Sequence, residues 1–168
     1  MEISTITTRY DATEDRILLA VADADDNQAS LWLTRRLTER LIPALVENVQ
    51  QQIALPSAAK TEGKGEVLAA ANVYAQLQAR ISKKPAPAVV LQPAAPQHLI
   101  NEIGVRSVGI GARLLEFRCV DQQVTTLTLS LTEQRQWLES LQKACTKANW
   151  ALTVWPDWLS PSAPKKRT

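Results

Sequence analysis

Val124-Thr-Thr-Leu-Thr-Leu-Ser-Leu131, running straight into Thr132-Glu-Gln-Arg-Gln-Trp137-Leu138, decides the fold. Leu127, Leu129 and Leu131 alternate with Thr126, Thr128 and Ser130, the period of a strand with one buried face. The period then changes. Trp137, Leu138, Leu141, Ala144, Cys145 and Ala148 recur at helical spacing, which predicts an amphipathic helix capped by Thr132. Glu133 near its start and Lys147 near its end suit the helix dipole. A half-buried strand feeding a helix points to an α+β domain with an antiparallel sheet.

Working back from that stretch, Arg113 to Val120 reads as a strand with Leu115, Phe117 and Cys119 on one side. His98 to Val108 reads as another, and Gly109-Ile-Gly111 as the turn or bulge between them. The N-terminal section has the same order. Ile3 to Tyr10, Arg16 to Asp23 and Ala29 to Leu33 are strands, and Thr34 caps a helix whose apolar positions are Leu37, Leu41, Leu45 and Val49. Leu18, Ala20 and Ala22 alternate with Ile17, Leu19 and Val21, so both faces of the second strand should be at least partly covered. Pro43 predicts a kink or break in the helix.

Residues 54–65 are the least structured connection. A helix over 66–81 follows, its apolar stripe formed by Val67, Leu68, Ala71, Tyr74, Leu77 and Ile81. Ala88 to Leu91 reads as a short buried strand between prolines. The chain is therefore one α+β domain over 1–159, with βββα pseudo-repeats over 2–53 and 98–150 joined by the 66–81 helix. Residue matches suggest an internal duplication: Ile3 and Ile6 with Ile100 and Ile103, Arg16-Ile-Leu18 with Arg113-Leu-Leu115, and Leu31, Leu33 and Thr34 with Leu129, Leu131 and Thr132. Residues 160–168 read as a disordered basic tail.

Composition narrows the functional classes. The formal charge is +2, but Lys165, Lys166 and Arg167 supply three of the 19 basic residues. Residues 1–56 hold five basic and nine acidic side chains, which disfavours nucleic-acid binding by the body of the domain. No apolar run reaches the roughly 20 residues of a membrane helix, and the first residues do not read as a signal peptide. A cytoplasmic protein is expected, since Cys119 and Cys145 form no CxxC motif and imply no oxidising compartment. Both cysteines fall on core faces, where a small inert hydrophobe is expected.

His98, the single histidine, has no Cys, Asp or Glu at a ligand spacing. The Asp23, Asp25, Asp26 cluster lacks the glycine and distal glutamate of a calcium loop and reads as a solvated turn. No nucleotide-binding or nucleophile motif occurs, so no catalytic residue, metal or cofactor is assigned. Two features exceed packing needs. Arg35, Arg36 and Arg40 oppose the helix dipole and read either as an anion or acidic-partner patch or as solvated charges pairing with nearby acids. Trp155, Trp158 and Leu159 sit in a Trp-rich segment that must dock, on its own domain or as an anchor on a partner. The leading expectation is a non-catalytic protein-interaction or scaffold domain, able to bind another protein or to form a homo-oligomer. A ligand or enzymatic site in the crevice between the two repeats is the alternative. Weak nucleic-acid binding through the arginines and the basic tail comes third.

Overall fold

Ile17, Leu19 and Val21 face one side of strand β2 (Arg16–Ala22), Leu18, Ala20 and Ala22 the other, and all six are buried. In the computed structural model, which describes residues 1–53 and 63–159, this strand lies between β1 (Thr5–Asp11) and β3 (Gln28–Leu33), antiparallel to both. A second antiparallel meander follows: β4 (Gln97–Ser107), β5 (Arg113–Cys119) and β6 (Val124–Leu129). The two meanders form one sheet of six strands in chain order.

That sheet is mixed, where the sequence pattern predicts an antiparallel one. Strand β4 joins β3 in parallel, with Ser30 opposite Gln97 and Trp32 opposite Leu99. A parallel neighbour requires a long crossover. Helices α1 (Arg35–Gln51) and α2 (Lys64–Ile81) and an extended return over 82–96 supply it. The far edge is tied in a similar way. Ile3 donates its N–H to the Thr126 carbonyl at 2.8 Å, and Thr126 donates to the Met1 carbonyl at 2.9 Å. The first residues thus lie parallel to β6, and Ile3 enters the core.

Helix α1 begins where expected, with the Thr34 hydroxyl accepting the Leu37 N–H at 3.4 Å. It runs through Pro43 without a break. Pro43 is exposed, so the carbonyl that loses its donor can be hydrated. Helix α3 (Leu131–Lys147) begins two residues earlier than a Thr132 cap implies. Ser130 is the cap, because Glu133 stands three residues beyond it and the two close a reciprocal capping box. Leu131 is consequently helical and does not belong to β6.

Each helix packs against the other meander. Helix α3 lies on β1, where the Trp137 indole N–H donates to Thr8 Oγ1 at 3.0 Å. Helix α1 lies on β4 and reaches the β4–β5 turn, where the Gly111 carbonyl accepts Asn48 Nδ2 at 2.8 Å and Gln134 Nε2 at 2.9 Å. Gly111 needs to be glycine: its φ is +73°, and a Cβ there would stand 2.6 Å from Leu131 Cδ1. Beyond α3, the Trp150 indole N–H donates to Asp15 in the β1–β2 turn at 3.2 Å. The inward faces of both meanders, α1 and α3 therefore share one core.

Two sequence expectations fail for the connecting segment. Ala88 to Leu91 forms no strand, and crosses the outer face of the first meander as a strap. The Val89 N–H donates to Thr7 Oγ1 at 2.9 Å and the Gln92 N–H to Gln28 Oε1 at 3.0 Å. Thr7 pairs with Ala20 and Gln28 with Ala22, so the strap lies over the outward side of β2. Side chains, rather than a backbone ladder, satisfy these donors. On α2 the buried positions are Asn72, Gln76 and Ala79. Val67, Tyr74, Leu77 and Ile81 of the expected core stripe are exposed instead.

The order βββα occurs twice, but the aligned residues correspond in space only in part. Ile17, Leu19 and Val21 answer Leu115, Phe117 and Cys119 on the core side, whereas aligning Ile17 with Leu114 pairs opposite faces. The caps that answer each other are Thr34 and Ser130. Ile3 with Ile100, Ile6 with Ile103 and Leu31 with Leu129 keep a core environment in both halves. The predicted basic tail, 160–168, and most of the 54–65 connection lie outside the described residues.

Candidate functional site

The Trp-rich segment docks on its own chain. Trp158 and Leu159 are buried in the common core, and Trp155 packs against it half-buried. Pro156 does not continue α3; a short turn closed by the Leu159 N–H on the Pro156 carbonyl, 3.1 Å, folds the segment back. A partner gripping Trp158 or Leu159 would first have to pull them out of this core.

Arg35 pairs with Glu39 at 2.9 Å, one turn along α1. Arg36 and Arg40 are exposed, and Arg40 lines a shallow groove that also contains Glu102 of β4. Glu102 pairs with Arg118 at 3.0 Å.

The structure brings together one pair the sequence does not reveal. His98 Nδ1 lies 2.6 Å from Asp121 Oδ2, because the β4–β5 pairing carries the turn after β5 back to the start of β4. The hydrogen bond with His98 holds the Asp121 carboxyl below its ordinary range. Residues 23 apart on facing strands give no local spacing signal. Among the described residues no group of three or more His, Cys, Asp or Glu converges as a metal site. Asp23 accepts hydrogen bonds from the N–H groups of Asp25 and Asn27 and from the Asn27 amide, as a turn-forming aspartate does. Cys119 and Cys145 are buried free thiols, each pushed up to about 11, chiefly by burial. Neither has the lowered pKa of a reactive cysteine.

Helix α2 concentrates the features left over from folding. Its inner side is polar: Gln76 Nε2 donates to the Arg135 carbonyl at 3.2 Å, and Arg80 pairs with Glu139 at 2.7 Å. Its outer side carries Val67, Ala70, Tyr74, Leu77 and Ile81, separated by three, four, three and four residues and all exposed. Tyr74 is 64% and Ile81 69% exposed, values unusual for large apolar side chains aligned on one helix face. On a third side of α2 lies a groove of about 580 Å³, bounded by the end of α1 and the start of α3. Arg135 of α3 lines it and is only 5% exposed. No local pattern marks Arg135 as buried, because it is the packing of α2 that covers it.

No protein family, curated protein or solved structure matches this chain. Among the described residues no helix is long and apolar enough to cross a membrane.

Proposed function

We propose that this protein is an interaction domain that pairs with a second copy of itself through the outer face of α2. The observation that carries this reading is the exposed Val67, Ala70, Tyr74, Leu77, Ile81 stripe. Spacing of three and four residues repeats every 3.5 on average, the period at which two helices keep one seam in contact. The charges select the orientation. Lys64 and Glu66 balance each other at one end of α2, whereas Lys83 and Lys84 follow the other. Antiparallel pairing keeps Lys83 and Lys84 away from their own copies and opposes the two helix dipoles, whereas parallel pairing sets them against their own copies.

The stripe contributes little to the protomer, since α2 is fastened through Asn72, Gln76, Ala79 and Arg80 on other sides. That separation makes the test clean. Sedimentation equilibrium of the full chain should show a concentration-dependent dimer, and Leu77→Glu should weaken it about a hundredfold, roughly 2.7 kcal/mol. The melting curve at low concentration should stay close to that of the unmodified protomer. A full chain whose mass stays monomeric at every concentration would sink the proposal.

A further inference from the structure

Arg135 is a cation that is buried with no anion beside it among the described residues. Its Nη2 donates to the Asn72 side-chain oxygen at 2.9 Å and to the Val49 carbonyl at 3.2 Å, and its Nη1 to the Asn72 carbonyl at 3.4 Å. All three acceptors are neutral, and the indole of Trp158 covers one face of the guanidinium at 4.8 Å. Glu139, one turn further along α3, points its carboxylate to Arg80, Lys143 and Gln76. Among the described residues no carboxylate pairs with Arg135. Burying a lone charge costs several kcal/mol, and breaking or omitting the partner of a buried ion is among the least favourable arrangements in a core. Burial alone draws the Arg135 pKa down to about 10, so it remains a cation at neutral pH.

The polar groups around it are also incompletely paired. Trp158 Nε1 and Gln76 Oε1 are buried with no hydrogen-bond partner among the described residues. The groove that Arg135 lines is otherwise mostly apolar, walled by Val49, Ile53, Ala71, Ala75 and Leu131. Its 580 Å³ falls within the range of sites for small molecules.

We infer that this groove binds a small amphipathic carboxylate, with the carboxylate on Arg135 and the apolar body between α1 and α2. The anion supplies the missing counter-charge, and the apolar walls select a hydrocarbon body over a bare inorganic anion. The surface is distinct from the dimer seam. Ala71, Ala75, Gln78 and Ser82 face the groove, and Tyr74 alone belongs to both.

Calorimetric titration of the full chain with decanoate, kept below its micelle concentration, tests the inference. One-to-one saturable binding is expected, with decanol and sulfate each binding at least tenfold more weakly, since each lacks one half of the recognition. Ala75→Trp fills the groove from a half-buried helix position and should abolish binding while leaving Arg135 and the oligomeric state in place. Arg135→Gln should weaken decanoate at least tenfold and bring it to the level of decanol. Absence of saturable decanoate binding by the unmodified chain overturns the site, as does an Ala75→Trp protein that binds decanoate normally. Equal binding of decanol and decanoate overturns the role of Arg135.

Discussion

Strands β2 and β5 are each the middle strand of a three-stranded meander, and their inward faces are alike: Ile17, Leu19 and Val21 in one, Leu115, Phe117 and Cys119 in the other. Their outward faces differ in kind. On β2 that face starts at Arg16 and continues with Leu18, Ala20 and Ala22, all three buried, the strap over 88–92 being fastened above Ala20 and Ala22. On β5 it is Leu114, Glu116 and Arg118. Arg118 pairs with Glu116 at 2.7 Å and Glu102 at 3.0 Å, and Arg106 reaches Glu116 at 3.2 Å. The lesson concerns the connection more than the strands. The first meander lies in the path of the crossover that makes β3 and β4 parallel, so the middle of its outer face is covered, and Leu18, Ala20 and Ala22 there are apolar. The second meander has no chain crossing it among the described residues, and its outer face carries charge.

Truncating the two outer faces is the sharpest way to break this comparison. Leu18→Ala empties a covered site and should cost about 2–5 kcal/mol, as buried Leu→Ala changes do. Leu114→Ala, at a half-buried position on the uncovered face, should cost less than half as much. Denaturant melts of the two variants decide it, and equal losses would mean that the strap does not shield Leu18.

A smaller effect isolates the strap. Thr7→Val removes the oxygen that accepts the Val89 N–H and keeps the side chain's shape, at a cost of about 1 kcal/mol. Hydrogen exchange at the Val89 amide should quicken in that variant while the β5 amides keep their protection.

The smallest effect belongs to the charged face. The Arg118 hydrogen bond holds the Glu116 carboxyl below its ordinary 4.5. A carboxylate with a lowered folded-state pKa stabilises the fold above its unfolded value and loses that contribution as pH falls through the folded one. Stability should therefore decline on acidification below about 4.5, and Glu116→Gln should flatten part of that decline. Exposed pairs are screened by solvent, so the difference is slight. No comparable acid dependence should arise from Leu18, Ala20 and Ala22 on the outward face of β2, none of which titrates.

Local pattern carried much of the architecture. The alternation at Leu127 and Leu129, the two-sided burial of β2, the Thr34 cap and the four-residue spacing of Leu37, Leu41, Leu45 and Val49 are read from residues close in sequence, and the structure keeps them. Where two local signals competed, the stronger geometry won: Ser130 with Glu133 closes a capping box that Thr132 cannot. The candidate sites were much less legible. An apolar stripe at helical spacing marks a helix face, yet the sequence does not say whether the domain's own core covers it, and on α2 it faces outward.

By itself, then, the sequence determined the six strands of the sheet and helices α1 and α3 with their buried sides, because side-chain period and caps act within a few residues. Tertiary structure decided the parallel β3–β4 junction, the exchange of helices between meanders, the His98–Asp121 contact and the burial of Arg135. Each depends on chain segments far apart in sequence, whose proximity is fixed by how the whole core closes and leaves no periodic mark on the residues involved.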